Sequence, residues 1–358
     1  MASLEELRKS LDAIDDEIAR LLHQRAELVI EVRKAKEKGN IDIYSPARER
    51  QILDRISALM PAGHFPRPAL EKIFQNIIGA SRSLIGQLNV SYVGPDSSLG
   101  HQAAVQQFGD GLEFRPEASI EDVFAKVESG DAHFGVVPAR TSAGNTIHKT
   151  YDLLMQSRIF IIAELDVRDH LALLGEADGF SDVQQIFADA ANFQRSIKWL
   201  RSSLSSAHLE LVDNTDLAMK MIAGDKFSAA VAHESNAERR GLKVLASGID
   251  SDTSQDARFF VLGQKIPPAT GNDKTSLVCA AKEKPGILRE ILQPFSERGV
   301  TLLKIESRPV RHQEWDFVFF IDALGHQAEP KMSEAVSQLS GLCRFVRVLG
   351  SYPVACQA

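Results

Sequence analysis

Three cations lie along one edge of the first predicted helix, where they could hold an anion. Arg25 follows Ile18 by seven residues and precedes Val32 by seven, which places it in a core position of an apolar heptad seam. Arg8 and Lys36 are four heptads apart and share the stripe beside that seam. Arginine can grip a carboxylate through two hydrogen bonds of fixed geometry. The pattern therefore predicts a site for a small carboxylate-bearing anion.

Two more charges, Arg48 and Glu49, stand at the start of the next predicted helix. Simpler interpretations stay open: Arg8 and Lys36 could be solvated surface charges, and Arg25 could belong to a buried ion pair. A single cation would favour these simpler interpretations, because buried charges are usually paired. Three cations along one apolar edge, with further charges at the start of the next helix, favour the anion site.

Long helices must position these cations. Apolar residues recur three and four apart from Leu4 to Val32, which predicts one helix over residues 4–37. Further helices are predicted over 46–58 and 68–85. Two short helices cannot cover the seam of a long one, so we expect an intertwined homodimer or a higher homo-oligomer.

After residue 88 the pattern changes to short apolar runs between helical stretches. The runs at 90–94, 134–139, 159–165 and 229–232 predict strands of an α/β domain with a mostly parallel sheet. Such sheets bind ligands at the carboxyl ends of their strands, often between two lobes.

A proline- and glycine-rich linker is predicted over residues 265–275. The segment after it has the order strand, helix, strand, strand, helix, strand, which is ferredoxin-like. The chain is thus predicted to be multidomain: an all-α module at 1–88, a two-lobed α/β module at 89–264 and a small α+β module at 276–354.

The composition excludes several classes of protein. A formal net charge of -7 gives no support for nucleic-acid binding. The cysteines Cys279, Cys343 and Cys356 are too far apart for a zinc site or a disulfide framework, so a reducing compartment is expected. The charged N-terminus is unlike a signal peptide, and no apolar run approaches the roughly 18 residues that would cross a membrane. We expect a cytoplasmic protein that uses no metal or cofactor.

The helical module resembles the chorismate mutase family of dimeric, three-helix chains, which rearrange chorismate to prephenate. The likeness lies in LR (7–8), LLHQR (21–25), VRKAK (32–36), RER (48–50) and Ser81. The resemblance implies that Arg8, lent by the partner chain, acts with Arg25 and Arg48 on the substrate carboxylates. It also implies that Lys36 faces the breaking ether oxygen and Glu49 the substrate hydroxyl.

The implied rearrangement is pericyclic, so it needs conformer selection and stabilisation of charge on the ether oxygen, without a nucleophile or metal. Ile85 departs from the family, which has Gln or Glu four residues after Ser81 as a second polar partner of that oxygen. Loss of such a donor typically costs on the order of 10² to 10³ in rate.

The central module resembles prephenate dehydratase. The likeness lies in VGPDSSLGHQAA (93–104), SIEDVFAKVESGDAHFGVVP (119–138), YDLL (151–154) and ARFFVLG (257–263). Together with the flanking modules, this order is that of the bifunctional chorismate mutase/prephenate dehydratase family. Arg140-Thr141-Ser142 stands where that family has Glu-Asn-Ser, and Ala257 stands where it has the threonine that assists the departing hydroxide.

Several residues of the central module are candidates for the cleft. Thr141, Ser142 and Arg258 are predicted to be catalytic, with Arg258 binding a substrate carboxylate or, alternatively, pairing with an acidic neighbour. The predicted substrate contacts are Ser98, His101, Arg140 and Phe259. The serines and Thr141 could instead be turn-formers, and His101 a helix-start residue.

The last module resembles the ACT domain that binds phenylalanine in this family. The predicted effector residues are Gly286, Ile287, Leu288, Glu306, Ser307, Arg308 and Pro309. A dimerising module without a ligand stays open as an alternative.

The sequence as a whole predicts conversion of chorismate to prephenate and of prephenate to phenylpyruvate, with feedback by L-phenylalanine or a similar effector. The departures at Ile85, Thr141 and Ala257 keep two alternatives open. One is a diverged enzyme acting on a chorismate or prephenate analogue, for example a decarboxylase that does not aromatise prephenate. The other is a non-catalytic dimer that senses an amino acid.

Overall fold

A computed structural model describes most of the chain. The described residues are 3–38, 46–59, 65–83, 88–96, 98–109, 112–141, 146–250, 256–281, 284–309 and 317–355. The chain divides into two compact units, of which the first is Met1–Leu88 with Phe108–Glu113 and the second is Asn89–Gln107 with Phe114–Ala358.

The first unit is helical, as predicted. Its helices are α1 (Leu4–Lys38), α2 (Pro46–Leu59) and α3 (Arg67–Ser83). Acidic residues in the first turn of α1 suit the positive end of the helix dipole. The residues of the α1 seam, which we call the apolar seam, are between 49% and 66% exposed: Leu4, Leu7, Leu11, Ile14, Ile18, Leu21, Leu28 and Val32. The first unit alone therefore leaves an apolar face along the length of α1 uncovered.

The second unit begins with a two-lobed α/β region. Its elements in chain order are β1 (Asn89–Val93), α4 (Leu99–Phe108), β2 (Glu113–Glu117), α5 (Ile120–Ser129), β3 (Phe134–Arg140), α6 (His148–Gln156), β4 (Phe160–Val167), β5 (Leu171–Gly175), a short 3-10 helix (Phe180–Asp182), β6 (Gln185–Asp189), α7 (Ala190–Ser203), β7 (His208–Val212), α8 (Thr215–Met221), β8 (Ser228–His233), α9 (Ser235–Arg240), β9 (Lys243–Ser247) and β10 (Ala257–Gly263).

The sheets of the two lobes are mixed. Their strand orders are β2-β1-β3-β10-β4 and β7-β6-β8-β5-β9. In the first sheet β1 and β3 are parallel, but β10 runs antiparallel to β3 and β4. In the second sheet β6, β7 and β8 are parallel, but β5 runs antiparallel to β8 and β9. The prediction of a mostly parallel sheet is therefore wrong. The reason is that the chain crosses between the lobes twice, and β10 enters the first sheet from the opposite direction.

Helix α5 shows how local sequence sets an element of the first lobe. The Ser119 hydroxyl accepts a hydrogen bond from the Asp122 amide at the start of α5, and Gly130 ends the helix with φ of 83°. Its apolar residues Val123 and Val127 are fully buried, and a Cβ on Gly135 of β3 would lie within 3 Å of both. Glycine at this position therefore allows the helix to lie close against the sheet.

Arg195 of α7 ties together the two crossings between the lobes. Its Nη1 donates to both carboxylate oxygens of Asp169, at 3.0 and 2.9 Å, just after β4. Its Nη2 donates to the Asp169 carbonyl oxygen at 2.7 Å and to Asp250 Oδ2 at 3.0 Å, in the returning segment before β10. One guanidinium thus holds both connecting segments.

The C-terminal module has the predicted ferredoxin-like order. Its elements are β11 (Asp273–Ala281), α10 (Ile287–Glu297), β12 (Leu302–Pro309), β13 (Phe317–Leu324), α11 (Pro330–Leu342) and β14 (Phe345–Pro353). The antiparallel sheet has the order β12-β13-β11-β14. The last three residues of the predicted linker belong to β11, because Asp273 already pairs with Pro353 of β14.

The C-terminal sheet shares a hydrophobic core with the first lobe. Phe260 of β10 belongs to the same buried cluster as Phe320 of β13 and Tyr352 of β14. A Cβ on Gly350 would overlap the carbonyl oxygen of Ile161, so β14 approaches β4 too closely for any other residue at that position. The predicted limit between the central and C-terminal modules therefore falls inside one continuous core.

Two features are absent from the described part of the chain. None of the described helices is long and apolar enough to cross a membrane. Among the same residues, no group of three or more His, Cys, Asp or Glu side chains is placed to hold a metal ion.

Candidate active sites

The structure brings Arg25 and Ser81 together inside the helical unit. The Arg25 guanidinium on α1 donates a hydrogen bond to the Ser81 hydroxyl on α3. That hydroxyl donates in turn to the Ile77 carbonyl oxygen at 2.6 Å. Desolvation of the half-buried guanidinium lowers the pKa of Arg25 from its ordinary value. An arginine remains charged under these conditions, so α1 and α3 hold a cation at a fixed point.

The other predicted residues of the helical site are less completely placed. Arg8 and Arg48 are exposed on the surface of the unit. The backbone of Lys36 is helical, but the side chains of Lys36 and Glu49 lie outside the described residues, as does Ile85 altogether. The roles of these residues stay predictions.

In the first lobe, two cations and a carboxylate form one row across neighbouring strands. Arg258 of β10 lies opposite Arg140 of β3 on one side and Asp166 of β4 on the other. Its Nε and Nη2 donate to the two Asp166 oxygens at 2.8 and 2.7 Å. These hydrogen bonds raise the pKa of the Arg258 guanidinium. The alternative interpretation of Arg258, an ion pair with an acidic neighbour, is the arrangement in the structure, and a substrate carboxylate would have to compete with Asp166.

Arg140 is held less firmly than Arg258. Its Nη2 donates to the Asp256 carbonyl oxygen at 3.3 Å and lies 3.9 Å from Asp166 Oδ1. About a third of the side chain is solvent-exposed. Because Arg140 is partly exposed and has one long ion pair, it can bind an added anion at a smaller energetic cost than Arg258 can.

Ala257 and Phe259 flank Arg258 on β10, so their side chains point to the opposite face of the sheet. Both are buried. Thr141 directly follows β3 and is half-buried, whereas Ser142 lies outside the described residues. The catalytic and cleft roles of these residues stay predictions.

Ser98 and His101 lie at the start of α4. The Ser98 hydroxyl accepts a hydrogen bond from the His101 amide at 3.2 Å, in the manner of a helix cap, and donates to the Val93 carbonyl oxygen at 3.2 Å. The buried His101 ring packs against Tyr92 and Phe114, with ring centroids 4.9 and 5.6 Å away. These contacts agree with the helix-start interpretation, and contact with a substrate stays a prediction.

The two predicted effector stretches lie on different elements of the C-terminal module. Gly286 precedes α10 with φ of 83°, in the left-handed region that favours glycine. Ile287 is half-buried, and Leu288 is exposed. The second stretch forms the end of β12 and comprises Glu306, Ser307, Arg308 and Pro309.

Part of the second stretch faces the first lobe. Glu306 accepts a hydrogen bond from the Thr146 hydroxyl at 3.1 Å and pairs with Lys304 at 2.8 Å. Burial acts to raise the pKa of Glu306, but the Lys304 and Thr146 contacts outweigh it and the pKa is lowered. Arg308 pairs with Asp152 of α6 at 3.0 Å. The end of β12 is therefore also a contact between the C-terminal module and α6.

Sequence reasoning missed Glu164, Asp166 and Lys274. The two carboxylates lie on the same face of β4, and Lys274 Nζ lies 2.6 Å from Glu164 Oε2. Acidic residues two apart in an apolar strand were a usable signal, because buried carboxylates need cationic partners. Lys274 carried no such signal, since it fell within the predicted linker.

Comparison with known proteins reproduces the predicted order of modules. Residues 7–85 match the family described as chorismate mutase type II, residues 90–267 match prephenate dehydratase, and residues 275–341 match the ACT domain. The bifunctional chorismate mutase/prephenate dehydratase of Aquifex aeolicus is 36% identical over 358 residues, covering 99% of each chain. That of Escherichia coli K12 is 30% identical, covering 97% of this chain and 95% of the relative.

A solved structure extends the agreement to the fold. The prephenate dehydratase from Arthrobacter aurescens in complex with L-Phe is 27% identical, covers 75% of this chain and 90% of its own, and gives a TM-score of 0.64. The resemblance predicted from the motifs is thus confirmed along the whole length. The chain belongs to the bifunctional chorismate mutase/prephenate dehydratase family.

Proposed function

We propose that this chain catalyses two successive steps of phenylalanine biosynthesis in the cytoplasm. Residues 1–88 rearrange chorismate to prephenate, and residues 89–264 convert prephenate to phenylpyruvate, water and carbon dioxide. Residues 276–354 bind L-phenylalanine as a feedback inhibitor. The observation that carries the proposal is a bifunctional relative that is 36% identical over 99% of both chains. The relative solved with L-Phe bound supports the identity of the effector.

The helical unit provides what a pericyclic rearrangement needs. Arg25, held by Ser81, binds one substrate carboxylate. Arg48 and Arg8, the latter from a second chain, bind the remaining negative charge, while Lys36 and Glu49 complete the site. Fixed cations select the folded conformer of the substrate and stabilise charge on the ether oxygen.

The first lobe provides the polar groups for the dehydration step. The ring of prephenate loses its carboxylate as carbon dioxide and its hydroxyl as water, so the departing hydroxide needs a donor. Ala257 has no hydroxyl, and we assign the donor role to Thr141 and Ser142 after β3. Arg140, about a third exposed at the end of the same strand, binds a substrate carboxylate.

Mass spectrometry of the products from chorismate and from prephenate tests both steps. Phenylpyruvate from each substrate is expected. Prephenate as the final product would remove the dehydratase assignment. A decarboxylated but non-aromatic product would indicate the diverged enzyme, and phenylalanine binding without turnover of either substrate would indicate the sensing dimer.

A homodimer formed through α1 is part of this proposal. Every residue of the apolar seam is at least 49% exposed in the single chain, and an exposed apolar stripe of this length is typical of an interface. The substitution Ile18→Glu should therefore give a monomeric helical unit by light scattering and abolish chorismate turnover. An equivalent change on the outer face of the same helix, Ala19→Glu, should leave the dimer intact. Equal dimerisation of both variants would contradict the interface.

A further inference from the structure

A group of buried charges connects the C-terminal sheet with the first lobe. Lys274 of β11 is 3% exposed, and its Nζ lies 2.6 Å from Glu164 Oε2 and 3.4 Å from Asp322 Oδ2. Glu164 of β4 is 7% exposed, and the same Oε2 lies 3.6 Å from Arg258 Nη1. Arg258 holds Asp166 on its other edge. We call Lys274, Glu164 and Arg258 the charge bridge.

The charge bridge has one carboxylate between cations from two modules. A buried carboxylate is stable only when it is paired, so Glu164 depends on Arg258 of β10 and on Lys274 of β11. The contact to Lys274 is the shorter one by 1.0 Å, and attraction between charges weakens with distance. If Lys274 moves away, Glu164 is left with Arg258 and pulls the guanidinium away from Asp166.

The ammonium group of Lys274 is fixed to the C-terminal sheet. Asp322 of β13, which contacts Lys274, accepts a hydrogen bond from Ser276 at 2.6 Å. Ser276 also contacts the Tyr352 hydroxyl at 2.7 Å. Complete burial raises the pKa of Tyr352, so the phenol is neutral and serves as a hydrogen-bonding group. A shift of β11 against β13 therefore moves Lys274 relative to Glu164.

We propose that Lys274 is a positioning residue through which the C-terminal sheet acts on the dehydratase strands. This inference rests on the proposed function and specifies how its regulation reaches the first lobe. With Lys274 on Glu164, Arg258 stays paired with Asp166, next to Arg140 at the end of β3. A ligand that displaces β11 or β13 weakens the contact between Lys274 and Glu164. Glu164 then draws Arg258 away from Asp166. The substrate therefore binds more tightly when Arg258 is paired with Asp166, and the ligand binds more tightly when Arg258 has left Asp166.

The test uses the full-length chain with both charges of the pair removed. Lys274→Met alone leaves Glu164 short of one partner and can fail to fold, so the working variant is the double substitution Lys274→Met/Glu164→Gln. The matched control is Arg347→Met, which removes a half-buried cation of β14 that donates to the Ile159 carbonyl oxygen at 3.4 Å in the same first lobe. Arg347 is outside the charge bridge.

Calorimetry measures the affinity for phenylalanine with and without saturating phenylpyruvate, the reaction product, which occupies the cleft without being consumed. In the wild type, phenylpyruvate should weaken phenylalanine binding about tenfold, which is within the usual range for coupled sites. The double variant should bind phenylalanine alone within about threefold of the wild type, with the tenfold effect reduced to about one. Its KM for prephenate should stay within about threefold of the wild type, because a neutral side chain at position 164 no longer pulls Arg258 away from Asp166. The control should keep the wild-type ratio.

Hydrogen exchange gives a readout that does not need turnover. Phenylalanine should change the exchange of β4 and β10 amides in the wild type and in Arg347→Met, but not in the double variant. The inference is overturned if the double variant keeps the wild-type coupling between the two ligands and the wild-type exchange response. It is also overturned if phenylalanine causes no exchange response in the wild type. A double variant that loses phenylalanine binding itself would show a structural role and also overturn it. Absence of phenylpyruvate from the wild type would contradict only the proposed function, because binding and exchange are still measured.

Discussion

Replacement of Arg195 by methionine should destabilise the two-lobed region while sparing the helical unit. The side chains of Asp169 and Asp250 are only 6% and 2% exposed, and both pair with this one guanidinium. The substitution removes the cation shared by two buried carboxylates on the two crossings between the lobes. Asp169 and Asp250 lose this partner in a region where water cannot fully replace it.

The expected loss can be worked from the burial of the pair. Removing one partner of a buried ion pair costs about 3–5 kcal/mol. Arg195 itself is 29% exposed, so solvent screens part of the interaction and the lower end, about 3 kcal/mol, applies. For a domain of roughly 150–250 residues, each kcal/mol shifts the Tm by about 2–4 °C. The second unit should therefore melt about 6–12 °C lower.

Scanning calorimetry of the full-length chain measures this shift. The control is Lys243→Met, which breaks the ion pair between Lys243 and Asp178, whose side chains are 57% and 80% exposed. An exposed pair contributes about 1 kcal/mol or less, so the control should stay within about 4 °C of the wild type. Equal melting of the two variants would refute the argument. A parallel loss of chorismate turnover at a temperature where both variants are folded would also refute it, because Arg195, Asp169 and Asp250 lie outside the helical unit.

Three further predictions test single positions. Arg25→Met should lower chorismate turnover by about 10² or more while prephenate dehydration stays within about twofold, and equal losses would contradict separate sites. Ala257→Thr should leave the kcat for prephenate within about twofold of Ala257→Val, which has the same shape without the hydroxyl, because Thr141 and Ser142 supply the donor; a tenfold gain with threonine alone would contradict that assignment. Peptide mass spectrometry should find Cys343 alkylated by iodoacetamide before Cys279. The hydrogen bond between the two thiols lowers the pKa of Cys343, and this contact and burial raise the pKa of Cys279, so Cys343 is the first of the two to form a thiolate as the pH rises. Earlier labelling of Cys279 would contradict this order.

Elements whose signal is local could be predicted from the sequence. The spacing of apolar residues predicted a helix over 4–37, and α1 spans Leu4–Lys38. The strand and helix order of the C-terminal module was likewise readable, because a run of apolar residues between turns has few alternatives over such short distances. The motifs around Arg25 and Glu306 carried the family relationship, which depends on residue types and spacing alone.

Contacts between distant segments could not be predicted from local patterns. Strand β10 lies between β3 and β4 although 89 residues separate it from β4 and 116 from β3, and no local pattern encodes that insertion or its antiparallel direction. The sequence allowed Arg258 to be interpreted as binding a substrate carboxylate, whereas the strand register places Asp166 opposite it. Lys274 looked like part of a linker until the sheet buried it against Glu164. Pairing of buried charges depends on which strands become neighbours, and that is set by the packing of the whole core rather than by any segment of the chain.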